Sequence, residues 1–401
     1  MNVLLLTIAP KKSQKMQRDL IREFIKDKHH VLIACPADSE NPASADFVGD
    51  EAEKYLFVKA GNSVGKVGFI KKVANFLLTD IRYKRALKRA LKQTNIDLVL
   101  YCTPPITLTN TIAWVKKRCN AATYLMLKDI FPQNAVDMGM MKKSGVIGLV
   151  WRYFRKKERK LYRISDHIGC MSQANCRYVL KENPDIAPEK VGLCVNAYAM
   201  EPVLSIDKNA VREAYGIPTD RTVFLYGGNL GKPQGLEYLA RVLRENQNRD
   251  DRFFVICGSG NDEQVLLRYM EKEKPSNVLI RKPLPPDAFD LLSRACDVGM
   301  VFLDHSFTIP NFPSRMLSIM LNEKPLLAAT DVNTDVGEVI ADGEMGWWCE
   351  STDTAPFNRY INDICKDPTT AEAKGRNARR YYESHYTSAI AYQQIMEGIR
   401  K

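Results

Sequence analysis

The chain has 401 residues, of which 45% are hydrophobic and 26% charged, and carries a net charge of +11. This length fits two or three domains with ordinary cores, and the near-average composition excludes collagen, coiled coil and disorder. No apolar run approaches the ~18 residues of a membrane-crossing helix, and Met1–Pro10 reads as a buried strand rather than a signal peptide, which predicts a cytoplasmic protein.

Val3–Ile8 is predicted as a strand, Gln14–Lys26 as a helix with Met16, Leu20 and Phe24 on one face, and His30–Cys35 as a second strand. Strands follow at Leu98–Cys102, Thr123–Leu127, Ile168–Met171 and Val191–Val195. Short apolar runs separated by amphipathic helices mean β-α-β units and a parallel sheet. The rhythm restarts with strands at Val223–Tyr226, Phe253–Cys257, Val278–Arg281, Val298–Leu303 and Pro325–Ala329, and helices at Leu236–Leu243 and Met316–Leu321. A long helical pattern from Ala371 closes the chain. The fold class is α/β with two doubly wound Rossmann-like domains, 1–198 and 199–375, and a C-terminal segment 376–401. Ligands of such sheets bind beyond the carboxyl ends of the strands, so the turns there are the candidate sites.

Charge is uneven along the chain. Residues 1–200 hold 34 Lys and Arg against 18 Asp and Glu, and the remainder 24 against 29. A basic half predicts an anionic partner for that half. Two segments concentrate it: 65–92 and 142–163 each hold nine basic residues and one acid, interleaved with bulky apolar side chains. Lys71, Lys72 and Phe76 in the first, and Trp151, Arg152 and Arg155 in the second, form an interfacial set that predicts docking on an anionic membrane surface. The aliphatic content argues against nucleic acid. The ten cysteines are scattered without C-x-x-C, several inside apolar strands, and read as free thiols. The five histidines lack ligand spacing and no D-x-D ends a strand, so no metal is expected.

Five segments in order resemble the GT-B glycosyltransferases of the retaining family-4 type: Asp27-Lys28-His29-His30-Val31, Val195-Asn196, Tyr226-Gly227-Gly228-Asn229-Leu230-Gly231-Lys232, Cys257-Gly258-Ser259-Gly260, and Asn377-Ala378-Arg379 followed by Tyr386. Leu127-Lys128-Asp129-Ile130-Phe131-Pro132 and Pro313-Ser314-Arg315 resemble the N-acetylfucosaminyltransferase-like branch of O-antigen and capsule assembly. The resemblance implies two domains facing a cleft, with the last helix crossing back to the first. It implies a nucleotide-sugar donor, a UDP-sugar, and an acceptor sugar carried on a polyprenyl diphosphate at the inner face of the membrane, without cofactor or metal. It places the donor on Gly228, Asn229, Lys232, Gly258, Gly260, Leu284, Phe312, Ser314, Arg315 and Ser318. The family's Glu-x7-Glu pair falls on Pro310 and Ser318, and its donor-phosphate Arg on Asn229; the first turn, Ala9–Gln14, is not Gly-rich. The missing pair keeps two other readings open, a GT-B epimerase and a non-catalytic binding subunit.

The residues support that chemistry independently. A glycine loop lets the backbone approach a phosphate, with Lys232 and Arg315 as cations for the leaving group. Pro313 suits the first turn of a helix and Ser314 its cap. Asp129, at a strand's carboxyl end, reads either as the group that orients or deprotonates the acceptor hydroxyl or as a turn aspartate.

Overall fold

A computed structural model describes residues 1–59, 69–104 and 106–400, without side-chain detail at Ser13 and 69–77. The protein divides into two units, Met1–Ala199 with Thr387–Lys401, and Met200–Tyr386.

Among the described residues the first unit holds eight strands: β1 Asn2–Leu6, β2 His30–Pro36, β3 Val48–Gly49, β4 Glu53–Val58, β5 Leu98–Cys102, β6 Ala122–Leu127, β7 His167–Cys170 and β8 Val191–Leu193. Their order is β3-β4-β2-β1-β5-β6-β7-β8, parallel except for β3 against β4. Strands β1, β5 and β6 are buried on both faces, as their continuous apolar runs require. β3 and β4 are not predicted from the sequence. β4 opens on Glu53-Lys54, and its ring pair Tyr55–Phe57 stacks 5.7 Å apart on one face.

The second unit holds β9 Thr222–Asn229, β10 Arg252–Ser259, β11 Val278–Arg281, β12 Val298–Phe302, β13 Leu326–Thr330 and β14 Gly346–Glu350, ordered β11-β10-β9-β12-β13-β14 and all parallel. Strand β14, with two tryptophans between Gly346 and Cys349, also escapes the sequence reading. Aromatic residues build this core: Tyr226, Phe302, Tyr238 and Phe357 meet at centroid distances of 5.2–6.1 Å. All ten cysteines are free and eight are buried.

The C-terminal pattern is two helices, Pro368–His385 and Ser388–Arg400, broken at Tyr386-Thr387. The expected segment 376–401 therefore splits: up to Tyr386 it belongs to the second unit, and from Thr387 to the first. Arg379 fixes the first helix by donating to Leu321 O at 2.7 Å and Glu201 O at 2.8 Å. The second helix lies on Lys15–Lys26, where Tyr392 meets Phe24 edge-on at 4.8 Å and Ser388 donates to Glu23 at 2.9 Å. His29 shares a hydrogen bond with the Tyr392 hydroxyl at 3.2 Å, a structural use of that histidine.

Candidate functional site

In the second unit the carboxyl ends of β9 and β10 run on together, pairing Gly228 with Gly258 and Asn229 with Ser259. Two glycines permit this. Gly228 has φ +130, and a Cβ at Gly258 would stand 2.0 Å from Gly228 O. Gly260 lies equally tight on Leu230 O. The loop then folds back on itself. Asn229 donates to Gln234 Oε1 at 3.0 Å, Gly231 N donates to the same atom at 3.3 Å, and Tyr226 donates to Asn229 O at 2.8 Å. Gln234, buried in a short 3-10 turn, is a closing residue that sequence reasoning missed. Lys232 opens that turn and is exposed.

Arg315 approaches this loop from the start of the helix Arg315–Leu321. Its guanidinium lies 4.6 Å from the centroid of the Tyr226 ring, and a Cβ at Gly228 would stand 3.5 Å from it. The ring face and the cation attract electrostatically. Arg315 Nη1 is buried with no hydrogen-bond partner among the described residues. An arginine donor in that condition carries the cost of an unsatisfied polar group unless an anion meets it. Gly228, Asn229, Gly258 and Arg315 thus come together at one end of the sheet.

Four other expected donor residues are placed differently. Ser314 makes no side-chain cap; the amides of Met316 and Leu317 are taken by Pro313 O and Ser314 O, both at 3.1 Å. Ser318 turns into its own helix and donates to Arg315 O at 2.9 Å. Phe312 is buried and stacks on Tyr386 at 5.7 Å, because an apolar ring there gains more from the core than from the loop surface. Leu284 packs with Phe289 on the core under β9 and β10. A further carboxylate, Asp331, follows β13 and is 2% exposed. Its Oδ1 accepts from Asn333 N and Thr334 N while Oδ2 has no partner among the described residues, and burial pushes its pKa up to about 6. Nothing in the sequence separates it from other turn aspartates.

In the first unit, Asp129 stands just beyond β6. Thr103 pins its backbone, accepting from Asp129 N at 3.2 Å and donating to Asp129 O at 2.9 Å. Asn134 donates to Asp129 Oδ2 at 2.6 Å. Burial raises the Asp129 pKa to about 6, against the amide of Ile130 and the Asn134 side chain, which lower it. A carboxyl titrating there suits proton transfer near neutrality. Asn196, three residues beyond the end of β8, is buried and donates to Met171 Sδ at 3.1 Å.

The basic segments divide by helical face. Lys71, Lys72 and Phe76 lie outside the described side chains. On the helix Gly145–Ile164, Arg155 is not a lipid-facing cation. It donates to Glu158 at 2.6 Å, and to Glu182 O and Asn183 Oδ1 at 2.9 Å, because its position falls on the buried stripe. Trp151 is half-buried, lines a cavity of about 120 Å³ with Tyr162 and Tyr178, and lies 5.6 Å under Lys143. Arg152 is exposed. The surface exposes other apolar side chains instead: Val146 at 83%, Leu149 at 61%, with Ile147 and Tyr153, and Leu78 and Ile81 on the helix Phe69–Ala90. Among the described residues no helix is long and apolar enough to cross a membrane.

With this geometry in hand, the comparisons with known proteins agree in kind. Residues 207–381 match the family model of glycosyl transferases group 1. WbjE of Pseudomonas aeruginosa, named as a probable glycosyltransferase, is 23% identical over 76% of this chain and 74% of its own. HepE of Anabaena, solved in complex with UDP-glucose, aligns at TM-score 0.72 with 15% identity over 100% of this chain and 99% of its own. WaaG, described as a glycosyltransferase involved in lipopolysaccharide biosynthesis, aligns at 0.64 with 13% identity over 98% of each chain. Both units have the Rossmann-like parallel build of the GT-B glycosyltransferases, and residues 207–381 are similar to the glycosyl transferases of group 1.

Proposed function

We propose that the protein transfers a sugar from a nucleoside diphosphate sugar, a UDP-sugar, to a sugar carried on a polyprenyl diphosphate during assembly of a surface polysaccharide. The observation that carries this reading is Arg315, a half-buried guanidinium held on Tyr226 against Gly228 with one nitrogen unpartnered. It meets the donor diphosphate, with Lys232 at the rim, and stabilises the charge that grows as the bond from anomeric carbon to phosphate breaks. The leaving group's charge is then met by side chains, and the reaction needs no metal. Asp129 orients the acceptor hydroxyl and takes its proton as the new glycosidic bond forms. The resemblance to family-4 enzymes supports retention of anomeric configuration. The HepE complex with UDP-glucose supports the donor class, and WbjE and WaaG support the polysaccharide setting.

With the acceptor's lipid in the membrane, the first unit works at the cytoplasmic face. Val146, Ile147, Leu149 and Tyr153 supply the apolar contact, and Arg152, Lys156 and Lys157 the charge, each cation adding about 1 kcal/mol at an anionic surface. The test is transfer from radiolabelled UDP-sugars to detergent-solubilised lipid acceptors by wild type and Arg315→Ala, with UDP affinity measured alongside. Loss of a charged hydrogen bond predicts affinity lower by about 1.5–3 kcal/mol. Unchanged UDP affinity in the variant removes Arg315 from the donor site, and no transfer or donor hydrolysis by wild type with any UDP-sugar overturns the reading.

A further inference from the structure

The second unit has a cavity of about 720 Å³ far from the Arg315 loop along its own sheet. All six strands run parallel, so every strand enters at one edge and leaves at the other. Arg315 and Gly228 mark the leaving edge. The cavity is lined by Thr222, Asp251, Asp297 and Pro325, which stand at or just before the starts of β9, β10, β12 and β13.

Cations short of partners converge on it. Lys324 lines the cavity, and its ammonium makes no hydrogen bond or ion pair with any described residue. That ammonium is largely removed from water and crowded by Lys208 and Arg212, and burial first, then Lys208, push its pKa down to about 8. Arg221 and Arg294 line the same space, and the Nε of each is buried without a hydrogen-bond partner among the described residues. Of the nearby acids, Asp297 lines the cavity and attracts Lys324, and the others are engaged elsewhere or stand in water. Asp297 accepts from Arg212 at 2.7 Å and from Val223 N at 2.9 Å; Asp251 accepts from Arg252 at 2.7 Å. Asp290 and Asp250 take the outer nitrogens of Arg294 and Arg221, at 2.7 and 3.4 Å, and leave each Nε unmet. Asp220, Glu323 and Glu372 border the cavity as exposed residues. A buried cation short of partners is costly, and a chain keeps it where something of opposite charge arrives. The cavity has the size of a small-molecule site, and Val203 and Leu204 give it one apolar wall.

We propose that this entrance-edge cavity is a second ligand site of the protein, in which Lys324, Arg221 and Arg294 bind the phosphate group of a small phosphorylated metabolite. The phosphate oxygens accept from the Lys324 ammonium and are attracted by the Arg221 and Arg294 guanidiniums that line the same space, and the body of the ligand lies on Val203 and Leu204. The site is separate from the donor loop and stands whether or not that loop binds a nucleotide sugar.

Lys324 supplies a local readout, because a lysine with a lowered pKa is a nucleophile near neutrality. Full-length protein is treated with an acetylating reagent in the presence of inorganic phosphate, glucose 1-phosphate or glucose, and acetylation of Lys324 is measured by peptide mass spectrometry. At about ten times the dissociation constant, a bound phosphate group protects the residue about tenfold. Protection by inorganic phosphate alone identifies a free anion as sufficient; tighter protection by glucose 1-phosphate identifies the ester. Thermal unfolding supplies the second arm. Phosphate raises the melting temperature of wild type and of Arg315→Ala, and Lys324→Met loses that shift while its ligand-free melting temperature rises. Equal acetylation with and without phosphate, protection by glucose as strong as by its phosphate, or a phosphate shift retained in Lys324→Met overturns the proposal. If Lys324→Met does not fold, the acetylation experiment on wild type decides alone.

Discussion

Asp129→Asn separates the cost of a carboxylate from its use. The folded protein holds this carboxyl at a pKa of about 6, against 3.8 for the free side chain. Between those two values the folded state keeps a proton that the unfolded chain has released, so the group favours folding at low pH. That advantage is lost as the pH rises through about 6, and above it the charged group opposes folding. A rise across about two pH units, at about 1.4 kcal/mol for each, sets an upper bound of about 3 kcal/mol. Asp129 keeps some contact with water, which brings the expected penalty to about 1–3 kcal/mol. Asparagine has the same shape, keeps an acceptor for Asn134, and carries no charge. Urea unfolding should therefore find the variant more stable than wild type near pH 8 and matched to it near pH 4. Turnover should fall with donor affinity intact, and wild-type turnover should decline below about pH 6 as the base protonates. A variant no more stable near pH 8 refutes the burial argument. Wild-type turnover in the variant refutes the catalytic role and leaves Asp129 as a turn residue.

Other consequences follow from contacts already described. Gly258→Ala puts a Cβ 2.0 Å from Gly228 O, a backbone atom that cannot swing aside; thermal melts should show a loss of about 1–3 kcal/mol, together with weaker UDP binding because the same strain moves Gly228. Val146→Asp with Leu149→Asp removes two of the most exposed apolar side chains and adds repulsion, so co-sedimentation with anionic vesicles should be lost, while Arg155→Gln should affect stability rather than vesicle binding. Equal partition of wild type onto neutral and anionic vesicles would leave the basic helix as solvated surface.

The difference between Arg152 and Arg155 lies in helical spacing, which composition does not carry. Composition counts both as cations of one basic run. Helical spacing separates them: Gly148, Trp151, Phe154, Arg155, Glu158, Leu161 and Tyr162 repeat every three or four residues, so the apolar stripe carries an internal Arg155–Glu158 pair that neutralises itself. That signal was present in the letters. The partner of Arg315 was not. Tyr226 ends β9 as one more buried aromatic, and only the fold brings the helix 89 positions later across its ring. β4 and β14 hold good strand formers in Tyr55, Phe57, Trp347 and Trp348, but Glu53-Lys54, Gly346 and Glu350 leave those runs too short to stand out, and pairing with β2 and β13 completes them. Parallel strands themselves were legible because burial on both faces demands continuous apolar runs. Side-chain chemistry at the strand ends has no such demand on its neighbours in sequence. Asp129 and Asp331 both follow strands, and both titrate near 6 because of what the fold packs around them. Both take local donors: Asp129 the Ile130 amide and the Asn134 side chain, Asp331 the amides of Asn333 and Thr334. Turnover of Asp129→Asn against Asp331→Asn therefore tells a proton acceptor from a carboxylate that holds a turn, and equal turnover in both variants refutes the role proposed for Asp129.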